Sequence, residues 1–280
     1  MKRIAVVGAG IMGNGIAQVA AESGFEVTLF DKSADGLTSG RQRIEKTLNR
    51  NIEKGKYNQE VAMQIKERIQ LTTNIVDLKD ADVVFEAIIE QIEPKKQLFK
   101  ELNQLCKPST IFVSNTSGLS ITEIASASGR NDKVVGIHFF NPVPVMNLVE
   151  IIRGEQTSDD TYECALYLAN TFNKVAITVK EAPLFAFNRI LMPMINEAIF
   201  VLAEGIATAE DIDQVMKLGA SHPIGPLALA DVIGLDTTLH VIETMYNETS
   251  DSKYRPAPLL RKYVRAGLLG RKTGEGFFKY

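Results

Sequence analysis

The sequence predicts an α/β fold in which a mostly parallel sheet is followed by an all-helical domain. Up to about residue 182, short strand-like runs rich in Val, Ile and Phe alternate with stretches of helical periodicity. Beyond that point, helical patterns continue without a further convincing strand before the last residues. Alternation of strands and helices is typical of a parallel sheet with helices on both faces. We therefore predict two domains, 1–182 and 183–280.

The first strand leads through a glycine-rich turn into a helix. Gly8, Gly10 and Gly13 have the spacing G-x-G-x-x-G. Gly8 permits the turn, Gly10 lets backbone N–H groups approach a pyrophosphate, and Gly13 lets the helix pack closely on the sheet. Ile11 and Met12 open the helix, whose positive end favours a diphosphate. The motif predicts a Rossmann-type unit in which these five residues contact a dinucleotide.

The end of the second strand indicates which dinucleotide binds. Asp31 lies eighteen residues after Gly13, directly behind a run of strand-forming residues. A carboxylate there can accept hydrogen bonds from both ribose hydroxyls and repel a 2′-phosphate. The sequence thus favours NAD over NADP. How strictly it does so stays open, because Lys32 beside it could tolerate a 2′-phosphate.

Two polar-faced helices are predicted next. One covers about residues 35–54, and the other begins after the cap residue Asn58 and includes Ile69. Such a pair is more than a minimal crossover needs. It forms either a solvated helical hairpin or a lid that carries Lys54 and Lys56 toward an anionic ligand.

The alternation then continues with a helix over about 94–105. Ligands of parallel sheets bind beyond the carboxyl ends of the strands, so residues 86–90, 114–118 and 138–141 are the places to expect a site. The strand-like runs themselves lie at 83–85, 111–113, 134–137, 149–152 and 175–179.

Helical patterns fill the second domain. The first of them is apolar nearly all round, which suggests burial against the other domain and against a second subunit. The predicted helices are 185–202, 209–218, 227–233, 235–246 and 258–266.

Composition excludes several classes of protein. The 280 residues carry a formal net charge of −3 without a basic run, so neither a nucleic-acid nor a membrane partner is expected. Cys106 and Cys164 lie far apart without a C-x-x-C motif, and we expect two buried thiols and no metal site. No apolar run reaches membrane-spanning length. Because polar residues and glycines also interrupt the apolar stretch at the N-terminus, we reject a signal peptide and expect a cytoplasmic protein.

One of the three histidines is placed for chemistry. His138 ends a predicted central strand, whereas His222 lies in a polar turn and His240 in a helical pattern. A dehydrogenase acting on an alcohol needs a group that takes the hydroxyl proton, and imidazole titrates in the right range. Glu150 is the nearest acid in an apolar strand, where a carboxylate is costly unless paired, so it is the candidate partner of His138. Ser117 and Asn188 could each donate to a substrate oxygen.

Several motifs together resemble one family over essentially the whole chain. They are VGAGIMGNGIA, SNTSGLSIT, HFFNPVPVMNLVEII, MKLGASHPIGP, IGLD and GRKTGEGFFKY. These look like the short, single-function 3-hydroxyacyl-CoA dehydrogenases, particularly the bacterial 3-hydroxybutyryl-CoA dehydrogenases. The resemblance implies a homodimer whose subunits each have an NAD domain and a helical dimerisation domain. It also implies interconversion of (S)-3-hydroxyacyl-CoA and 3-oxoacyl-CoA.

The resemblance also implies roles for individual residues. His138 would be the acid and base, Glu150 its orienting partner, and Ser117 and Asn188 the residues that bind the 3-oxygen. Thr47 and Lys54 match the CoA-facing helix, which favours the lid over the solvated hairpin. The residues that match the family's further cofactor contacts are Glu90, Lys95, Asn115, Asn141 and Lys272.

The chain departs from the family's usual pattern near the expected substrate. It has Leu184, Ala186 and Phe187 in a segment that usually reads P-G-F-V-V-N-R, and glycine at such a point can use a conformation that leucine adopts only with strain. Leu184 and Phe187 would then border the acyl pocket. The other departures are Gly118, Asn147 and Ala228.

These departures leave three readings open. In the first, the substitutions are neutral drift and the activity is unchanged. In the second, divergence or engineering has reshaped the acyl pocket toward a ketone without CoA. A third possibility is a structural NAD-binding protein without turnover. A related group of helical-tailed NAD(P) enzymes, which relies on a lysine in the helical domain, fits less well because it leaves His138 and Glu150 unexplained.

Overall fold

The computed structural model describes residues 1–280, and the chain divides into two compact units, Met1–Glu181 and Ala182–Tyr280. The first unit is built on an eight-stranded sheet in the order β3-β2-β1-β4-β5-β6-β7-β8. All neighbouring strands pair in parallel except β6 and β7, which are antiparallel. The strands are β1 (Arg3–Val7), β2 (Glu26–Phe30), β3 (Ile69–Thr72), β4 (Val83–Glu86), β5 (Ile111–Ser114), β6 (Val134–Phe139), β7 (Leu148–Arg153) and β8 (Val175–Lys180).

Helices connect these strands and cover the sheet. The central strands are buried along nearly their whole length, which explains their uninterrupted apolar runs. Beside them pack apolar residues of the first helix, such as Ile16 and Ala20. The predicted mostly parallel α/β sheet is therefore confirmed. The helices of this unit are α1 (Ile11–Glu22), α2 (Ala34–Glu53), α3 (Gln59–Glu67), α4 (Ile92–Leu105), α5 (Ile121–Ser128) and α6 (Asp159–Thr171).

One strand was missed because its first residue imitates a helical position. The predicted helix after Asn58 included Ile69, but α3 ends at Glu67 and Ile69 opens β3. The spacing from Ile65 to Ile69 fits a helix face as well as a strand. Pairing in register with Val27 of β2 decides for the strand. The predicted cap is present, since the Asn58 side chain accepts from Val61 N–H.

The second unit is entirely helical apart from two isolated bridges near the C-terminus. Its core includes Ile195 and Ile199 of the first helix, packed with Leu227 and Leu260. No helix in either unit combines the length and the apolar character that crossing a membrane requires. The helices of the second unit are α7 (Phe187–Ala203), α8 (Ala209–Gly219), α9 (Pro226–Ile233), α10 (Leu235–Thr249) and α11 (Pro258–Arg265).

Candidate active site

The glycine turn between β1 and α1 has the geometry that a dinucleotide requires. Gly8 has φ +102°, and a Cβ there would lie 2.5 Å from the carbonyl oxygen of Ala87. A Cβ on Gly13 would lie 1.7 Å from the carbonyl oxygen of Gly8, so the helix could not approach the turn with any other residue. At Gly10 a Cβ would meet no atom within 4 Å, which leaves open space beside the helix end. The turn therefore fits a pyrophosphate.

The start of α1 offers donors for that group. Gly10 is the N-cap and supplies no side-chain acceptor, and Ile11 is exposed. The N–H groups of Ile11 and Met12 belong to the first turn, whose amides have no acceptor within the helix. Together with the helix dipole, they suit a diphosphate.

Asp31 directly follows β2, and its carboxylate is hydrogen-bonded to the same turn. Its carboxylate accepts from the Ala9 N–H at 2.8 Å and from the Ser33 N–H at 2.9 Å. Gly36 lies close beside it, since a Cβ on Gly36 would be only 3.3 Å from the Asp31 carboxylate. A carboxylate held in this way fits the ribose hydroxyls of NAD.

The strand pair β6 and β7 brings His138 and Glu150 together. The antiparallel register places the two residues directly opposite each other, and His138 Nδ1 lies 2.8 Å from Glu150 Oε2. Both are buried, at 5% and 2% exposure. The Phe140 ring lies against the imidazole, with centroids 4.6 Å apart. A carboxylate that holds Nδ1 fixes the ring's orientation and stabilises its protonated form.

Ser117 lies in the loop that follows β5, and its backbone is tied to Glu90. The Glu90 carboxylate accepts from Ser117 N–H and from Thr116 Oγ1, each at 2.6 Å. The Asn115 side chain accepts from Phe139 N–H at 2.9 Å, which links this loop to the end of β6. Ser117, Asn115 and His138 thus gather where β5 and β6 end, as expected for a ligand site of this fold.

Three further residues match cofactor contacts of the family, and they lie in different parts of the structure. Lys95 is buried at 1% exposure, and its ammonium contacts Glu86 and Glu90. The contact of Lys95 with the cofactor that the resemblance implies stays a prediction. Asn141 is exposed just after β6. Lys272 belongs to the helical unit and pairs with Asp236.

Thr47 and Lys54 lie seven residues apart near the end of α2 and share one face of that helix. Thr47 is half-buried and its hydroxyl donates to the Arg43 carbonyl, while Lys54 is exposed at the helix end. Their predicted contact with CoA stays a prediction.

The helical unit begins with a strained segment. Leu184 has φ +63° and Phe185 φ +57°, although both side chains are buried. The expectation that Leu184 occupies a conformation suited to glycine is thereby confirmed. Asn188 lies in the first turn of α7 and is 8% exposed, whereas Phe187 beside it is 38% exposed.

No role was predicted for Glu86, although residues 86–90 were among the segments expected to border a ligand. Glu86 ends β4 and is fully buried, and it binds Lys95 Nζ at 2.5 Å. The available signal was a carboxylate that closes the apolar run Val83-Val84-Phe85. Such a residue is costly to bury without a partner.

Comparison with known proteins gives a consistent result. The sequence model described as "3-hydroxyacyl-CoA dehydrogenase, NAD binding domain" matches residues 3–182, and the one described as "3-hydroxyacyl-CoA dehydrogenase, C-terminal domain" matches residues 185–280. The probable 3-hydroxybutyryl-CoA dehydrogenase of Bacillus subtilis is 50% identical over 280 residues, which are 100% of this chain and 98% of that protein. Human mitochondrial hydroxyacyl-coenzyme A dehydrogenase is 41% identical, covering 100% of this chain and 91% of its own length.

Solved structures agree with these sequence matches. The crystal structure of (S)-3-hydroxybutyryl-CoA dehydrogenase from Ralstonia eutropha has a TM-score of 0.97 and 48% identity, covering 100% of this chain and 99% of that one. These findings confirm the family resemblance and the predicted NAD cofactor. The chain therefore belongs to the 3-hydroxyacyl-CoA dehydrogenase family of NAD-dependent oxidoreductases.

Proposed function

We propose that this protein interconverts (S)-3-hydroxybutyryl-CoA and acetoacetyl-CoA, with His138 as the acid and base and Glu150 as its orienting partner. The observation that carries the proposal is the buried contact of 2.8 Å between His138 Nδ1 and Glu150 Oε2. The relatives that match the full chain at 48–50% identity and are named 3-hydroxybutyryl-CoA dehydrogenases support the choice of substrate.

In this proposal, Gly8, Gly10, Gly13 and Asp31 would hold NAD, which would supply the hydride acceptor for C3 of the hydroxyacyl group and, in the reverse direction, the hydride donor. His138 uses Nδ1 for Glu150, so proton exchange with the 3-hydroxyl falls to Nε2. As the alcohol is oxidised, Nε2 takes the hydroxyl proton, and the carboxylate of Glu150 stabilises the imidazolium that forms. In reduction, the same nitrogen returns the proton to the 3-oxygen.

Ser117 would donate a hydrogen bond to the 3-oxygen, where negative charge develops during reduction. Its backbone is held by Glu90, which limits the positions that its hydroxyl can reach. The resemblance gives Asn188 a second bond to the same oxygen. The proposal includes that role of Asn188. It also includes the CoA contacts of Thr47 and Lys54 and the positions of Leu184 and Phe187 at the acyl pocket.

The experiment compares the initial rate of NADH oxidation with acetoacetyl-CoA, a simple acetoacetate ester and an aryl ketone at equal concentrations. We expect acetoacetyl-CoA to be turned over fastest. His138→Ala should lower kcat by about a hundredfold or more while NADH binding is retained. A control is His240→Ala, which removes a histidine outside the proposed site.

Either of two results would contradict the proposal. Preferential turnover of a CoA-free ketone would favour a reshaped pocket, and a wild-type protein inactive on the whole panel would favour a structural protein. The named relatives favour neither of these alternatives. Full activity of His138→Ala would refute only the role assigned to His138 and not the proposed reaction.

We further infer that the protein is a homodimer formed through its helical unit. That unit exposes large apolar side chains: Ile190 is 73%, Val215 65% and Leu218 80% accessible. Apolar surface of this kind is typical of a subunit interface. Light scattering after gel filtration should give the mass of two chains, and Val215→Asp with Leu218→Asp should shift it to one. Lys217→Asp, between them on the same helix, is the control.

A cytoplasmic location also remains a prediction.

A further inference from the structure

A buried lysine holds the loop that joins β6 and β7, the two strands that carry the proposed catalytic pair. Lys174 lies between α6 and β8, and the residue is 7% exposed. Its ammonium donates to the carbonyl oxygens of Val143 and Met146 at 2.7 and 2.8 Å. Both carbonyls belong to the loop 140–147, so one side chain binds this loop at two points.

The backbone from which this side chain starts is itself fixed. The Lys174 N–H donates to the carbonyl of Ala169, in the last turn of α6, at 2.9 Å. The next residue, Val175, donates its N–H to the carbonyl of Asn147 at 2.6 Å, which fastens the end of the loop to β8. An ammonium on a fixed backbone reaches few positions, and its two bonds therefore limit where the loop can lie.

The same loop also packs on the helix of the nucleotide-binding turn. Val143 is 2% exposed, and a Cβ on Gly15 of α1 would lie only 2.8 Å from the Cβ of Val143. Within the loop, the Pro142 carbonyl accepts from two N–H groups further along the chain, both at 2.9 Å. The resulting turn is held both by α1 and by Lys174.

The first residue of the loop contacts the proposed acid and base. Phe140 is 9% exposed, and its ring centroid lies 4.6 Å from that of the His138 imidazole, with 44° between the two planes. An aromatic ring in this position restricts how the imidazole can tilt, while Glu150 holds it at Nδ1. The next residue, Asn141, keeps the cofactor contact that the resemblance implies.

Stability alone does not explain a charged group in this place. Burial lowers the pKa of Lys174, and the carboxylate of Glu22 opposes that shift. A buried charge costs free energy, which hydrogen bonds to carbonyl groups offset in part. An apolar side chain of similar volume would fill the same space without that cost. It would not supply two directed hydrogen bonds to one loop, which are what keep a neighbouring site in one geometry.

We propose that Lys174 is a positioning residue for the reaction, which fixes the loop 140–147 and thereby holds Phe140 against the imidazole of His138. The inference rests on the proposed function of His138 as the acid and base. Lys174 acts on the reaction only through the loop.

The kinetic test is a double-mutant cycle between Lys174 and Phe140. Lys174→Met has nearly the same length but no donors, and it should lower kcat for acetoacetyl-CoA by about tenfold, because displacing a reacting group by about 1 Å is costly. In a Phe140→Leu background, the same change should cost less than about twofold, since the ring that Lys174 positions is gone. Losses that multiply in the double variant would overturn the proposal.

The matched control is Lys107→Met. The ammonium of Lys107 also donates to a backbone carbonyl, that of Asp80, but the residue lies before the amino end of β5, whereas the loop 140–147 follows the carboxyl end of β6. The kcat of this variant should equal that of the wild type. A loss as large as that of Lys174→Met would assign both effects to stability and refute the positioning role.

A spectroscopic measurement does not depend on turnover. The chain has three histidines, so the proton resonances of isotope-labelled histidine can be assigned with the help of His138→Ala. Because the Phe140 ring shifts the resonances of the imidazole beside it, Lys174→Met should move the His138 resonances toward their positions in Phe140→Leu. The resonances of His240 are the internal reference. Unchanged His138 resonances in Lys174→Met would refute the proposal.

Amide hydrogen exchange tests the order of the loop itself. Exchange in residues 140–147 should accelerate by about tenfold in Lys174→Met and stay unchanged in Lys107→Met, with α4 as the internal reference. Unchanged exchange in Lys174→Met would contradict the inference. If exchange accelerates and the His138 resonances shift, but wild-type protein does not reduce acetoacetyl-CoA, the proposed function fails and the anchoring of the loop by Lys174 stands.

Discussion

Replacing Leu184 separates the strain of its backbone from the benefit of its burial. The residue has φ +63°, a region that costs a non-glycine residue about 1–2 kcal/mol, and its side chain is 4% exposed. Leu184→Ala removes the burial and keeps most of the strain, so it should lower the free energy of unfolding by about 2–5 kcal/mol. Leu184→Gly loses the same contacts but relieves the strain.

The informative quantity is the difference between the two variants. Relief of about 1–2 kcal/mol exceeds the extra backbone entropy of glycine, about 0.5–1 kcal/mol. We therefore expect Leu184→Gly to be more stable than Leu184→Ala by about 0.5–1 kcal/mol. The measurement is urea unfolding of each variant, followed by far-ultraviolet circular dichroism.

Glu101 offers a matched control because it is exposed within α4, where the backbone is helical. There the order should be reversed, with Glu101→Gly less stable than Glu101→Ala by about 1 kcal/mol. If Leu184→Ala is as stable as Leu184→Gly or more stable, the argument from strain is refuted. Burial alone would then explain the cost of changing this residue.

Two further predictions concern titration. Burial raises the pKa of Asp213, whose carboxylate accepts from Leu227 N–H and Ala228 N–H at the start of α9. Its contribution to stability is therefore fullest below its unfolded pKa of about 4 and declines as the pH rises through the higher native pKa. Asp213→Asn should flatten this part of the unfolding profile against pH, and an unchanged slope would contradict the assignment. Burial also raises the pKa of Cys106 and Cys164 to about 11. Near pH 8, a thiol reagent should modify them about a hundredfold more slowly in native protein than in urea, and equal rates would refute this.

Local patterns determined much of this fold. Residues 83–86 and 111–114 are strands because short apolar runs of β-branched and aromatic residues suit a sheet buried on both faces. The turn at Gly8 and Gly13 is local in part, since the contact that excludes a Cβ at Gly13 comes from Gly8, whereas the one that excludes a Cβ at Gly8 comes from Ala87, just after β4. Local information was insufficient at Ile69, where helix and strand were both compatible with the pattern and pairing with β2 decided.

The candidate site shows the same division. The residue types of His138, Glu150 and Ser117, and their places after strands, could be predicted from the sequence together with the family resemblance. The register that sets His138 opposite Glu150 depends on how two strands pair. The contacts of Lys95 with Glu86 and Glu90 were not predicted, because a salt bridge between a strand end, a loop and a helix leaves no periodic signal.

The sequence by itself therefore determined the fold class and the glycine spacing of the nucleotide-binding turn, because the patterns that indicate them lie among near neighbours in the chain, and with the family resemblance it determined the set of candidate residues. Only the tertiary structure decided the register of β6 and β7 and the buried contacts of Lys95. These features depend on which distant segments pack together. Packing chooses among local conformations that differ in free energy by only about 1–2 kcal/mol, which is less than burying one large side chain contributes.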